Sequence, residues 1–125
     1  MRADKKSDRN MRKMENNVIG IDQGDVVLFS DFEHDGEMWT GDGSRNTRMT
    51  VAFSEKYIDR PVVYVSVSML DASNETNIRF DVQAEDITNA GFVIVFRTWG
   101  DTKVARCRVA WQSMGAVRAD DVWDL

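Results

Sequence analysis

The sequence has one cysteine, one proline and one histidine in 125 residues, and these scarcities exclude several classes of protein. A lone cysteine forms no disulfide within the chain and rules out zinc sites built from paired cysteines. A lone histidine in an acidic stretch gives no support to a Ser/His/Asp or Cys/His catalytic set. Apolar runs of about 18 residues, the length that spans a membrane, are also missing. We therefore predict no enzyme, no cofactor and no membrane span.

Positive charge is also in deficit, with 16 Lys and Arg against 21 Asp and Glu and a net charge of −5. Because nucleic acids and anionic membranes repel a net acidic protein, we predict neither as a partner. Residues 1–17 are an exception, with six basic and three acidic side chains. They lack a core-forming pattern and the apolar stretch of a Sec signal peptide. We predict a flexible basic segment and synthesis in the cytoplasm; release or export by a non-Sec route stays open.

The hydrophobic pattern is that of short strands. Residues 77–85 and 104–112 alternate apolar and polar side chains, and a period of two indicates a half-buried strand. Four further strand-like runs occupy residues 26–29, 47–53, 61–70 and 91–98. Turn-forming residues separate the runs, so we predict one all-β domain, a sandwich or barrel. Cys107 falls on the apolar face of its run, where a buried, inert thiol is expected.

The last two runs are joined by the connector Trp99-Gly100-Asp101-Thr102-Lys103. Asp and Gly favour a tight reversal, so we predict a β-hairpin, with Asp101 and Lys103 either paired across the turn or lining a site. Residues 91–98 are apolar at both alternating sets of positions, including Val93 and Val95. One set should leave an apolar stripe exposed on a monomer, and such a stripe predicts a homo-oligomer.

Residues 31–46 form a long segment rich in glycine and acidic side chains. A loop of this length commonly binds something or packs on itself, and we expect Phe32 and Trp39 to hold it against the domain. His34 lies among its acidic residues, but their spacing matches no EF-hand or HExxH motif, so we predict no metal site. The domain is expected to cover residues 18–115, followed by an acidic tail at residues 116–125.

Three segments carry a recognisable combination of motifs: PVVYVSVSMLD at residues 61–71, NIRFDVQAEDITNAGF at 77–92 and FRTWGDTKVARCRVAW at 96–111. The triplet Asn46-Thr47-Arg48 precedes them. Taken together, and with the triplet at the expected distance, they resemble the H-type lectin domain, the family of snail agglutinins and of the C-terminal domain of slime-mould discoidins. The resemblance extends over about residues 18–115, and it rests on the combination of motifs.

The resemblance implies a six-stranded antiparallel β-sandwich that assembles as a homotrimer or a higher multiple. It also implies a non-catalytic lectin with sugar sites in clefts between protomers and N-acetylgalactosamine or galactose as ligand. Three contacts carry over by position. The family's sugar-contacting arginine falls on Arg79, the tryptophan of its hairpin on Trp99, and the loop glycine before the Asn-Thr-Arg triplet on Gly43.

Three positions depart from the snail pattern. Arg45 stands in place of an aspartate, Gly100 in place of a histidine and Ala105 in place of an aromatic residue. An arginine suits a carboxylate or sulfate through bidentate hydrogen bonds, so Arg45 suggests an acidic sugar as the alternative ligand. The candidate carbohydrate-binding residues are Arg79, Trp99, Gly100, Asp101, Gly43, Arg45 and Asn46.

Each candidate also has a purely structural interpretation. Arg79 could form a cross-strand ion pair with an acidic neighbour such as Asp81 or Glu85, Trp99 could pack within the hairpin, and Arg45 could lie on a solvated loop. A second function also stays open, that of a structural, adhesion or particle-fibre subunit that binds protein. In that case residues 1–17 would be the attachment segment, with Met11 and Met14 on one face of a short helix.

Overall fold

The computed structural model describes residues 11–14 and 18–119. Between residues 18 and 119 it forms six β-strands, a single 3₁₀ turn at Asp31–Glu33 and a one-turn helix α1 at Glu37–Thr40. The strands are β1 (Val18–Phe29), β2 (Arg45–Ala52), β3 (Val62–Ala72), β4 (Phe80–Glu85), β5 (Gly91–Thr98) and β6 (Val104–Val117).

The strands form two antiparallel sheets of three, in the orders β1-β6-β3 and β2-β5-β4. Aromatic contacts between the sheets build the core. The rings of Phe29 and Phe96 lie 5.3 Å apart and join β1 to β5, and those of Phe92 and Trp111 lie 5.4 Å apart and join β5 to β6. The predicted all-β, six-stranded antiparallel sandwich is confirmed.

The predicted hairpin between β5 and β6 is wrong. β5 is the central strand of one sheet and β6 the central strand of the other, so residues 99–103 arch from sheet to sheet. The inner residues of both strands meet across the core, among them Ile94 and Phe96 of β5 and Cys107 and Val109 of β6. An alternating pattern fixes which side chains face the core but not which strand pairs with which.

The exposed apolar stripe expected on β5 is also absent from the described residues. Val95 on the outer face of β5 is 0 % exposed and lies in register with Arg48 on one side and Gln83 on the other. Arg97 Nη2 lies 2.8 Å from Glu85 Oε2, and Arg48 also pairs with Glu85. Such long side chains cover apolar neighbours with their aliphatic stems while their charged ends stay in water.

Apolar side chains are exposed on the outer face of the other sheet. Ile21, Met114 and Val62 lie in one row across β1, β6 and β3, and Ile21 is 62 % exposed. Tyr64 is exposed on the next row. We call Ile21, Val62, Tyr64 and Met114 the apolar patch. The expectation of an exposed apolar surface therefore holds for a different sheet.

Met38, rather than Phe32, anchors the loop between β1 and β2. Met38 is 0 % exposed, whereas Phe32 is 58 % exposed and meets Trp39 edge-on at 5.3 Å. The backbone N–H of Met38 donates to Asp31 Oδ2 at 2.9 Å, which joins α1 to the 3₁₀ turn. The loop is thus packed on the body through a methionine and closed upon itself, as its length suggested.

Several boundaries differ from the predicted ones. β4 begins at Phe80, and Ile78 is exposed. A register shift after Val67 places Leu70, not Met69, against the core. β6 continues through Val117, so the first two residues of the expected tail pair with β1.

Residues 11–14 adopt no helix in the single chain, and a short helix of Met11 and Met14 on a partner surface stays a prediction. Arg12 donates a hydrogen bond to the carbonyl of Arg60, so this short segment lies against the turn before β3. The predicted flexible segment at residues 1–10 and 15–17, and the tail at 120–125, lie outside the described residues. Within the described ranges, no helix has the length and apolar character to cross a membrane.

Candidate functional site

Three connections meet at one end of the sandwich, and the seven predicted site residues lie on them or at the start of β2. The connections are the turn that leads into β2, the segment before β4 and the arch between β5 and β6. Gly43, Arg79, Trp99, Gly100 and Asp101 lie on the connections, and Arg45 and Asn46 are the first two residues of β2.

The first and third connections are joined through two glycines. The N–H of Gly43 donates to the carbonyl of Gly100 at 2.9 Å. Both residues have left-handed backbone angles, with φ of 74° and 71°, which favour glycine at these positions. A Cβ on Gly100 would lie 3.4 Å from Arg79 Nη1, so the glycine also leaves room for that guanidinium. Glycine in place of histidine at position 100 therefore fits both the left-handed backbone and the nearby guanidinium of Arg79.

Arg79 forms an ion pair with Asp101, the two atoms Nη1 and Oδ1 being 3.0 Å apart. The ion-pair interpretation is therefore correct in kind but wrong in partner, because Asp81 and Glu85 pair with Arg97 instead. The backbone of the Arg79 segment is fixed by Thr102, which is fully buried. Thr102 Oγ1 accepts the N–H of Arg79 at 3.0 Å and donates to the carbonyl of Asn77 at 2.7 Å.

Asp101 is held as a carboxylate. The hydrogen bond from the backbone N–H of Asn77 lowers the pKa of Asp101, and the charge of Arg79 acts in the same direction. The predicted Asp101–Lys103 pair does not form. Lys103 Nζ donates instead to Asp42 Oδ1 at 3.0 Å and to the carbonyl of Gly41 at 2.6 Å.

Arg45 is 6 % exposed, and its guanidinium is turned toward main-chain carbonyls. Nε donates to Gly43 at 2.9 Å, Nη1 to Glu37 at 3.2 Å and to Met38 at 3.4 Å, and Nη2 to Gly100 at 3.3 Å. Arginine side chains are mostly exposed, so a solvated loop was one interpretation of this residue. The structure instead gives its donors to the backbone of the site.

A cleft of about 450 Å³ opens beside these residues on the outer face of the β2-β5-β4 sheet. Trp99 is 43 % exposed and forms part of its wall. Asn46, Arg97 and Asp81 lie in one row across the three strands. The full lining is Ser44, Arg45, Asn46, Asp81, Arg97, Thr98 and Trp99.

Sequence reasoning missed Ser44, Asp81, Arg97 and Thr98 as cleft residues. A signal was present, since Arg97 and Asp81 both occupy outward positions of their strands. These outward positions identify a cleft only when β5 is known to pair between β2 and β4, because that pairing sets Arg97 beside Asn46 and Asp81. Ala105, the third departure from the snail pattern, is buried in the core region and lies outside the cleft lining.

The described residues offer neither a cluster of metal ligands nor an accessible thiol. Among the described residues, no three His, Cys, Asp or Glu side chains are grouped so that they could hold a metal ion. Burial raises the pKa of the Cys107 thiol to about 11, and the side chain is fully enclosed. The prediction of a buried cysteine is confirmed.

Comparison with known proteins agrees with this geometry. The sequence model of the H-type lectin domain matches residues 48–114. The chain is 49% identical over 107 residues to the "ATP synthase subunits region ORF 7" protein of Fuscovulum blasticum. This match covers 86% of this chain and 93% of that protein. It is 31% identical over 71 residues to Discoidin-2 of Dictyostelium discoideum, covering 56% of this chain and 28% of that one.

A solved structure of discoidin II from Dictyostelium discoideum superposes with a TM-score of 0.70 at 22% identity. The match covers 86% of this chain and 40% of discoidin II, so the chain spans less than half of that protein. The shared fold, the matching domain model and the motif-bearing segments lead to one assignment. This chain belongs to the H-type lectin domain family.

Proposed function

We propose that this chain is a non-catalytic lectin that binds a neutral, galactose-type sugar at the loop end of a homotrimer, in clefts between protomers. One observation carries the proposal. In a member of the H-type lectin domain family, the seven candidate residues lie at one end of the sandwich, on three connections that meet there and at the start of β2.

The chemistry of this end suits a sugar. Arg79 and Asp101 place hydrogen-bond donors and acceptors side by side, and both side chains are about half exposed. Neighbouring hydroxyls of a sugar ring can use such a pair, donating to the carboxylate and accepting from the guanidinium. The exposed Trp99 offers a flat apolar surface on which the C–H face of a ring can stack.

The charge balance favours a neutral ligand over the acidic sugar that Arg45 suggested. The donors of Arg45 are directed to backbone carbonyls. Arg97 pairs with Asp81 and Glu85, and Arg79 with Asp101. An acidic sugar would have to displace one of these acceptors and would meet the remaining carboxylates. We therefore propose galactose or N-acetylgalactosamine as the ligand class.

Assembly into a homotrimer would raise the overall strength of sugar binding, because three weak sites could act together. A single open cleft on one chain is expected to bind a monosaccharide weakly, and simultaneous engagement of three sites raises avidity by about 10²–10⁴-fold. The apolar patch supplies an exposed surface for assembly on the sheet opposite the cleft-bearing one. We propose that patch, in place of the outer face of β5, as one part of the interface between protomers. The clefts between protomers need a second contact, made by a neighbouring protomer at the end of the sandwich that carries Arg79 and Asp101.

The test is binding of the purified protein to an array that carries neutral galactosides, N-acetylgalactosamine and acidic glycans. We expect binding to neutral galactosides and its loss in Arg79→Ala. The matched control is Arg106→Ala, which removes an exposed arginine paired with Asp71 on the other sheet. Binding to acidic glycans alone would contradict the neutral ligand class. Unchanged binding by Arg79→Ala would contradict the site.

A silent array would favour the second function, that of a structural or adhesion subunit that binds protein. Deletion of residues 1–17 then separates the two functions. A lectin should keep its glycan binding without this segment, whereas a subunit attached through it should lose its partner.

A further inference from the structure

Arg45 is an arginine buried among carbonyls. Removing a charged group from water is costly unless hydrogen bonds replace those of the solvent. Here the replacements are the carbonyls of Glu37, Met38, Gly43 and Gly100. A planar guanidinium is suited to this because its N–H groups point outward in fixed directions and reach several acceptors at once.

These four carbonyls come from three separate parts of the site. Glu37 and Met38 belong to α1, Gly43 to the turn before β2, and Gly100 to the arch between β5 and β6. One side chain therefore holds all three parts. Lys103 holds the same turn as well, through the carbonyl of Gly41 at 2.6 Å and the carboxylate of Asp42 at 3.0 Å.

Gly100 connects Arg45 to the residues proposed to touch the sugar. Its carbonyl accepts both Arg45 Nη2 at 3.3 Å and the N–H of Gly43 at 2.9 Å. Its α-carbon faces the guanidinium of Arg79, and Asp101 is the next residue in the chain. The Gly100 peptide therefore lies between Arg45 and the Arg79–Asp101 pair, beside the contacts that Thr102 and Asn77 make to that pair.

We propose that Arg45 is a positioning residue that preforms the sugar site by fixing the Gly100 peptide, without contacting the sugar. This inference rests on the proposed lectin function. A preformed site binds more tightly because less backbone freedom is lost when the ligand enters. Arg45 is also a candidate for direct contact with the sugar, and a contact residue and a positioning residue make different predictions for its removal.

The test compares the full chain with Arg45→Met, which keeps a long apolar stem and removes every donor. The variant should fold, because the carbonyls of Glu37 and Gly100 each keep a backbone donor, from Gly41 at 2.8 Å and Gly43 at 2.9 Å. Arg106→Met is the matched control on the other sheet. Two readouts are taken: calorimetric binding of a galactose-terminated oligosaccharide, and amide hydrogen exchange followed by NMR.

For Arg45→Met we expect about 10-fold weaker binding and faster exchange of the Gly43 amide. The amide of Val109, in the centre of β6, should exchange as in the unmodified protein. Arg45→Lys should restore part of both properties, since one ammonium can reach only some of these carbonyls. If Arg45→Met proves unfolded, the same two readouts on Arg45→Lys decide the question.

Two results would overturn the proposal. Unchanged sugar affinity in a folded Arg45→Met would show that the site does not depend on this residue. Weaker binding with an unchanged Gly43 exchange rate would show direct contact with the sugar. If the unmodified protein binds no sugar, the proposed function fails by itself. In that case unchanged Gly43 exchange in Arg45→Met overturns the positioning role, and faster exchange supports it as a property of the loops.

Discussion

Arg79 Nη1 and Asp101 Oδ1 lie 3.0 Å apart, although their residues belong to different connections of the sandwich. Arg79 precedes β4 and Asp101 lies in the arch after β5. Asn77 adds a backbone N–H and a side-chain amide to the same carboxylate. The carboxylate therefore joins the arch to the segment before β4, and its ionisation should be measurable as a pH dependence.

The first prediction concerns acid. Because the pKa of Asp101 is lowered from 3.8 in the folded protein, its charged form stabilises the native state at pH values above 3.8. That contribution is lost as the pH falls through the lowered pKa. Asp101→Asn should therefore melt below the unmodified protein at neutral pH, and the difference in Tm should shrink below pH 3.8. Thermal unfolding followed by circular dichroism from neutral pH into acid measures it.

Asn77→Ala is the control for this measurement. The leading cause of the lowered pKa is the backbone N–H of Asn77, which the alanine variant retains. Most of the pH dependence should therefore persist in Asn77→Ala. If the difference in Tm between Asp101→Asn and the unmodified protein grows on acidification, Asp101 is not the stabilising carboxylate.

The second prediction separates the two left-handed glycines. Gly43→Ala and Gly100→Ala should each cost about 1–2 kcal/mol, since both positions have positive φ. Only at Gly100 does a Cβ approach the Arg79 guanidinium, whereas a Cβ at Gly43 meets nothing within 4 Å. At similar stability, Gly100→Ala should weaken sugar binding more than Gly43→Ala does. Urea unfolding and calorimetric titration on both variants give the comparison, and equal affinities would count against the Gly100–Arg79 link.

The third prediction concerns the loop that carries α1. Met38→Ala should lower the free energy of unfolding by about 2–5 kcal/mol, because Met38 is fully buried beneath the loop. Phe32→Ala is the matched control, since Phe32 is mostly exposed and should cost no more than about 1 kcal/mol. Urea unfolding measures both values. Reversed magnitudes would mean that Phe32 anchors the loop after all.

The fourth prediction concerns Cys107. Its thiol is buried and its pKa is raised to about 11 by desolvation, so very little thiolate is present at pH 8. A disulfide reagent such as DTNB should leave the native protein unmodified and react promptly with one thiol per chain in urea. Rapid reaction of the native protein would show that the core opens at β6.

The sequence patterns predicted much of the fold because burial alternates cleanly along several strands. In β6, Cys107 and Val109 face the core and Arg106 and Arg108 carry ion pairs outside, as their alternation indicated. The hairpin failed for a physical reason. A five-residue connector can reverse a chain within one sheet or carry it across the core, and local sequence does not distinguish the two.

Side-chain partners in the site were the least predictable part. Asp101 and Lys103 are two positions apart in sequence, which suggested a pair. In the folded chain Asp101 pairs with Arg79, and Lys103 pairs with Asp42. For Arg45 the sequence leaves two interpretations open, a sugar contact and an arginine on a solvated loop. Its burial depends on four carbonyls that three different chain segments bring together.

The last prediction concerns assembly. In one chain Ile21 is the patch residue on strand β1 and is 62 % exposed, so Ile21→Glu should not disturb the fold of the protomer. In the proposed trimer the same change buries a charge against apolar neighbours, which is strongly unfavourable. Light scattering should give a mass three times 14.3 kDa for the unmodified protein and 14.3 kDa for Ile21→Glu.

Thr50→Glu is the matched control for assembly. Thr50 is exposed on the opposite sheet and lies in register with Val93, on the face of β5 from which an interface was first expected. If the apolar patch forms the interface, Thr50→Glu stays trimeric. If Thr50→Glu dissociates and Ile21→Glu does not, the interface lies on the outer face of β5. A single-chain mass for the unmodified protein would remove the trimer, and with it the proposed avidity, while leaving Arg79 and Asp101 as a site on one protomer.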